Sequence, residues 1–317
     1  MAEIKIPLSV PNEKRSEYKK NYQQLTNFSG HLLLVAGDQK VEHLNDDFFG
    51  SHIDPSDNSP EHLFKVATAI PGAAFATHLG LIERYGDQYR SLPYIVKLNG
   101  KTNLGVNEEK DSSKLWWKIE DIIKFKKQSG LKIVGIGYTI YLGGKYEAKM
   151  LAKAAQAIFK AQQAGLTTVI WVYPRGLKIN EENIHIIAGG AGVVAALGAD
   201  FVKVKYPYNL KNKQETAKKF VEVTTAAGKT KVVCVGSEKM ATKEILNYCA
   251  AQIKTAQTSG LAIGRNLHQR SLAEASQLGA ALGAIIFKKT NAAEAWKIYN
   301  QTPKKPLKKS SRFLGIF

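Results

Sequence analysis

The chain has 317 residues, with 45 lysines and arginines against 27 acidic residues and a net charge of +18; 44% of it is apolar and 9% aromatic. That composition is globular and excludes a disordered or collagen-like chain, and the length allows two ordinary domains or one α/β barrel of roughly 250 residues with insertions. No apolar run approaches the ~20 residues of a membrane helix, and the opening MAEIKIPLSVPNEKRSEYKK lacks the apolar stretch of a secretory signal.

Cys234 lies in the apolar run Val232-Val233-Cys234-Val235 and Cys249 in a helical pattern. Two such cysteines read as reduced thiols of a cytoplasmic protein rather than a disulfide framework. The seven histidines are scattered with no ligand pair, so neither a metal nor a cofactor is expected. The positive charge suits either nucleic acid or a pocket for phosphorylated metabolites. Lysines are spread along the chain, and the one dense cluster is the tail Lys304-Lys305-Pro306-Leu307-Lys308-Lys309. No helix-turn-helix, zinc-finger or aromatic single-strand motif accompanies it, so nucleic-acid binding is not expected.

In chain order, residues 1–30 read as an N-terminal extension, 31–300 as one barrel domain and 301–317 as a basic tail. Eight apolar runs are strand candidates: His31–Gln39, Ala73–Leu79, Tyr94–Asn99, Ile133–Ile140, Thr167–Pro174, Ala199–Tyr206, Lys231–Gly236 and Gly260–Asn266. Most are continuous Val/Ile/Leu-rich segments, as buried parallel strands should be. Between them, Lys114–Gln128 and Tyr146–Ala164 carry helical periodicity. Glycines such as Gly165 and Gly228 then stop helices before the next strand. Repeated strand-then-helix units predict a single-domain α/β (β/α)₈ TIM barrel, with a doubly wound open sheet as the alternative. The insertion Phe49–Glu61 reads as an inert loop rather than a lid.

In such a barrel chemistry sits at the C-terminal strand ends. The first strand ends at Asp38, either a turn or N-cap residue or a carboxylate facing a charged lysine or substrate hydroxyls. The third carries Lys97, a charge-network residue or a reactive amine. The fifth ends Trp171-Val172-Tyr173-Pro174-Arg175. There Tyr173 is either a proton carrier or a rim aromatic, and Arg175 an ion-pair clamp or a phosphate contact. In the sixth, Phe201, Lys203 and Lys205 share a face by alternation. A lysine in an apolar strand must be neutral or paired; a neutral Lys203 amine would suit Schiff-base formation with a ketone. The seventh and eighth end at Gly236-Ser237 and Gly264-Arg265. Glycine turns there, with backbone N–H groups and an arginine, make a recurrent phosphate site.

Taken together, Gly37-Asp38-Gln39-Lys40-Val41-Glu42-His43, Thr139-Ile140-Tyr141-Leu142-Gly143, Trp171-Val172-Tyr173-Pro174-Arg175-Gly176, Ala199-Asp200-Phe201-Val202-Lys203 and Ile263-Gly264-Arg265-Asn266 resemble the archaeal- and bacterial-type class I fructose-bisphosphate aldolases over about residues 30–290. The resemblance implies metal-free, Schiff-base cleavage of fructose 1,6-bisphosphate, with Lys203 forming the adduct, Tyr173 as acid/base and Asp38 as its helper. It makes Trp171 a substrate-binding residue and places phosphate on Gly236, Ser237, Gly264 and Arg265. It also implies a homo-oligomer, up to a decamer. Two departures stand out: Lys40 where the family commonly has Gly, which would add bulk and charge at the mouth, and Gly236-Ser237 where Gly-Gly is usual. Alternatives are a tagatose- or aminodideoxyheptulosonate-type relative, a basic binding protein, and a barrel isomerase or synthase without a covalent lysine.

Overall fold

The structure is a computed structural model that describes residues 4–106, 110–176, 179–208 and 212–303. The basic cluster Lys304–Lys309 lies outside the described residues. Eight parallel strands close into a barrel: β1 (Leu32–Ala36), β2 (Ala74–His78), β3 (Tyr94–Lys97), β4 (Ile133–Leu142), β5 (Thr167–Pro174), β6 (Phe201–Val204), β7 (Lys231–Val235) and β8 (Gly260–Ile263). Each pairs with its sequence neighbours, and β1 closes on β8 through Leu32↔Gly260 to Val35↔Ile263. All eight apolar runs therefore form strands.

Alternation divides their side chains into two cores. Leu32, Leu34, Ala74, Ala76, Ile95, Val169, Phe201, Val233 and Ala262 fill the barrel interior. Leu33, Val35, Phe75, Val96, Ile170, Val202 and Cys234 face the helical shell. That shell includes the helices Pro60–Ala69, Glu147–Gln163, Thr242–Lys254 and Leu272–Lys288. The last begins at a capping box in which Ser271 and Glu274 satisfy each other's backbone N–H. Gly165 and Gly228 adopt φ of +72° and +58°, so the left-handed residue that ends each helix is the glycine anticipated there.

One helix is shorter than its sequence pattern. The helical segment placed from Lys114 begins at Ile119 and ends at Ser129. Lys114 and Leu115 instead form a two-residue antiparallel ladder with Asn99 and Gly100. That ladder sets Trp116 against His78, with ring centroids 4.7 Å apart.

Within residues 1–30, helix α1 (Arg15–Leu25) docks on the N-terminal mouth of the barrel. The Tyr18 hydroxyl donates to Asp200, and Asn21 donates to the Gly165 carbonyl at 2.8 Å. Tyr22 stacks on Phe201, and Leu25 enters the interior cluster. The floor is thus sealed, and access to the interior is from the C-terminal end.

Candidate active site

At the open end lies a cavity of about 530 Å³. Asp38, Glu42, Tyr173, Arg175, Lys203 and Lys205 line one part of it, and Gly236, Ser237, Gly264's neighbour Arg265 and Tyr206 another. The strand register explains the convergence. Lys203 follows Phe201 by two residues on β6, so it points inward above the apolar layer, and it pairs laterally with Trp171 on β5. Lys97 follows inward-facing Ile95 on β3 in the same way.

The two lysines have different partners. Lys97 is fully buried, its Nζ 3.2 Å from Asp38 Oδ2 and 3.5 Å from Glu42 Oε1. Lys203 is 4% exposed and faces the cavity. Among the described residues no carboxylate lies within ion-pair distance of it. Burial pushes its amine below the usual lysine range; Asp38 and Glu42 oppose that shift, and Lys97 adds to it. Both amines lie 4.9 Å from the Trp171 ring centroid.

Asp38 follows β1 and precedes α2 (Gln39–Glu42). It occupies the N-cap position, yet its side chain caps nothing. It turns inward to Lys97 rather than holding Lys203 directly. Burial raises the Asp38 carboxyl, but Lys97, then Lys203 and His78, outweigh this and bring it down to about 2. Beside this pair, His78 is held near 4 by burial and by Lys97.

Trp171 is 1% exposed and does not line the cavity. The indole is an internal wall that both amines rest on. Gly137 makes room for it, since a Cβ there would lie 2.5 Å from the ring. Tyr173, two residues further along β5, does reach the cavity. Burial, with Glu42 and Asp38 adding to it, pushes its phenol well above the usual value. Arg175 lies 5.0 Å from the Tyr173 ring centroid and 5.1 Å from that of Tyr141, and 3.0 Å from Glu181. It also borders a second basin of about 940 Å³ that includes Lys101 and Lys110. Lys205, on the rim, pairs with Glu181 and Glu182.

Across the mouth, one of the anticipated phosphate donors is already committed. The Gly236 N–H donates to the Ala262 carbonyl at 2.7 Å as part of the sheet, so it is not free for a ligand. Ser237 and Arg265 remain on the cavity wall. Gly264 starts the short helix Arg265–His268. Asn266 fastens this side together. Its amide donates to the Ser237 and Glu238 carbonyls at 3.1 and 2.8 Å, and its Oδ1 accepts from the Met240 N–H at 2.9 Å. Arg265 lies 3.7 Å from Asp47, whose Oδ2 accepts from His43 Nδ1 at 2.5 Å.

Lys40 does not enter the mouth. Its Nζ donates to Asn45 Oδ1 at 3.0 Å and to the Asn58 carbonyl at 3.3 Å, above the Phe48 ring. It clamps the segment after α2, which is further held by a fully buried Asp57–His268 pair at 2.6 Å. The insertion 49–61 is thus packed against the barrel. Sequence reasoning assigned no role to Glu42, His43 or Asn266. For Glu42 a signal existed: four residues after Asp38 is one helical turn, which places both carboxylates on one side.

Three comparisons bear on this geometry. Residues 32–270 match the family model described as DeoC/LacD family aldolase. The fructose-bisphosphate aldolase/6-deoxy-5-ketofructose 1-phosphate synthase of Methanocaldococcus jannaschii is 46% identical over 298 residues, 94% of each chain. A fructose-bisphosphate aldolase of Slackia heliotrinireducens superposes with a TM-score of 0.90 at 41% identity, covering 96% of both chains. An archaeal fructose-1,6-bisphosphate aldolase, solved with its catalytic lysine covalently bound to the carbinolamine intermediate of the substrate, superposes with a TM-score of 0.72 at 29% identity, covering 85% of this chain and 99% of its own. From the strand register to the mouth cavity, this chain belongs to the DeoC/LacD aldolase family.

Proposed function

We propose that the protein is a class I, Schiff-base fructose-1,6-bisphosphate aldolase with Lys203 as its imine-forming amine. The observation that carries this reading is the contrast between the lysines. Lys203 is a buried amine of lowered basicity facing a cavity, whereas Lys97 is tied to two carboxylates away from it. The names of the relatives support the substrate.

The Lys203 nitrogen attacks C2 of the keto sugar, the carbonyl oxygen takes up a proton, and loss of water leaves a protonated imine. The C3–C4 electron pair flows into that cation, giving an enamine and, with loss of the C4 hydroxyl proton, glyceraldehyde 3-phosphate. Tyr173 passes that proton to C3 of the enamine, so its phenol is unchanged over the cycle. Hydrolysis of the resulting imine returns dihydroxyacetone phosphate and the free amine. Asp38 orients hydroxyls and, with Lys97, sets the charge beside the imine. The Ser237, Gly264 and Arg265 side receives the phosphate near C1, with Gly236 shaping the turn, and Arg175 faces the distal phosphate. The second name of the M. jannaschii relative fits the same enamine captured by another aldehyde, since 6-deoxy-5-ketofructose 1-phosphate divides at C3–C4 into dihydroxyacetone phosphate and 2-oxopropanal. We also read the chain as cytoplasmic, from its two free cysteines, and as a homo-oligomer, as the family resemblance implies.

The test is borohydride reduction in the presence of dihydroxyacetone phosphate, followed by peptide mapping. The expected result is one adduct, on Lys203, and cleavage of fructose 1,6-bisphosphate that persists with a chelator. An adduct on Lys97, or a strict metal requirement, overturns the assignment.

A further inference from the structure

Glu42 is the last residue of α2, one turn after Asp38. Lys97 Nζ sits between the two carboxylates. The Glu42 side chain is 17% exposed and lines the cavity with Lys203 and Tyr173, and its Oε1 is the atom that faces Lys97. Two carboxylates thus flank the one internal amine, and Glu42, on the cavity side, also faces Lys101, Arg175 and Lys203. Arg175 is paired with Glu181 and Lys101 lies on the second basin, so of these three Lys203 is the amine that shares the cavity with Glu42.

We propose that Glu42 is a positioning residue for the Schiff-base reaction: together with Asp38 it anchors Lys97 and supplies the counter-charge for the protonated imine at Lys203. This rests on the reading of Lys203 as the reactive amine. Imine formation converts a neutral nitrogen into a cation, and a fixed negative charge stabilises that change without reorganisation. In the free enzyme the same charge favours the Lys203 ammonium. Removing it therefore acts in two directions: the amine is freed at lower pH, while the iminium becomes harder to form. A carboxylate that only braced the fold would not produce that pairing.

The groups facing Glu42 are Asp38 on its own turn, Lys97 on β3, Lys101 beyond β3, Tyr141 on β4, Tyr173 on β5, Arg175 just past its end, and Lys203 on β6. Burial pushes both phenols up, so neither competes as the group that limits trapping on the acid side. His43 shares the rim, and a His43→Gln background serves as its control.

The experiment compares wild type, Glu42→Gln and Glu42→Asp as full chains. It measures borohydride trapping of dihydroxyacetone phosphate against pH, and steady-state cleavage. For Glu42→Gln, kcat should fall about 10–100-fold with KM little changed. The acid limb of trapping should move down by about 0.5–1 pH unit, also in the His43→Gln background. Glu42→Asp should recover part of both. An unmoved limb with unchanged kcat, or a loss of activity with the limb in place in both variants, overturns this role while the Lys203 adduct still stands. Absence of the adduct from wild type overturns the function and this role together.

Discussion

Asp200, half-buried, and Asp38, buried, are carboxylates at opposite ends of one barrel, and their surroundings are opposites. At the floor, Asp200 meets neutral donors: the Tyr18 hydroxyl, and the Thr168 N–H and hydroxyl at 2.8 and 2.9 Å. Burial dominates there and lifts its carboxyl to about 6. At the mouth, Asp38 meets cations, which hold it near 2 despite its burial. A carboxylate among neutral donors ties one element to another, here α1 to β6. Among lysines in a cavity it becomes one term in a charge balance that a reaction can use. Changes at the floor should therefore cost stability and spare turnover, whereas changes at the mouth should reach turnover.

The strongest break of that comparison is at Lys203. Lys203→Met should lower cleavage by about 10⁴-fold or more and abolish trapping. Lys97→Met should leave an adduct on Lys203 while costing about 3–5 kcal/mol of stability, because Asp38 is stranded as a buried charge. Urea unfolding and peptide mapping distinguish the two lysines; trapping lost with Lys97 alone would reverse their roles.

Tyr173→Phe sharpens the mouth further. Turnover should drop about 10²–10⁴-fold, as for a displaced acid/base, while imine formation continues. Equal loss of trapping and turnover would make Tyr173 a rim aromatic.

The smallest effects belong to the floor. Tyr18→Phe should cost about 1.5–3 kcal/mol at pH 7, the range for a hydrogen bond to a charged group, with kcat per folded molecule unchanged. The pH dependence has a definite sign. Asp200 has a folded-state value above its free value of 3.8, so its contribution to stability is complete below 3.8 and is lost as pH rises through about 6. Asp38, lowered to about 2, contributes fully above 3.8 and loses that contribution as pH falls through 2. Asp200→Asn should flatten the slope of unfolding free energy between pH 4 and 6. A Tyr18→Phe variant with impaired kcat would show that floor and mouth are coupled.

Much of the fold was legible because a buried parallel strand is a continuous run of Val, Ile and Leu, which local sequence displays directly. The inward direction of Lys203 was legible too, from its alternation with Phe201. The state of Lys97 was not, since its partners lie on another strand end, Asp38 being 59 residues away. Nor could the chain show that Gly236 spends its N–H on Ala262, or that Lys40 turns away to Asn45 and Asn58. The start of the helix at Ile119 was hidden for a related reason: Lys114 and Leu115 fit the helical pattern but are claimed by pairing with Asn99 and Gly100.

By itself, the sequence determined the strand-and-helix alternation, the inward face of each strand and the residue types at the mouth, because these depend on periodicities of two and about 3.6 residues. Tertiary structure alone decided which lysine is paired and which is left facing a cavity, and that Trp171 is a wall under both. Those outcomes depend on which strand ends the barrel closure brings within a few ångströms, where low dielectric makes charge interactions strong, and on the space that Gly137 leaves open.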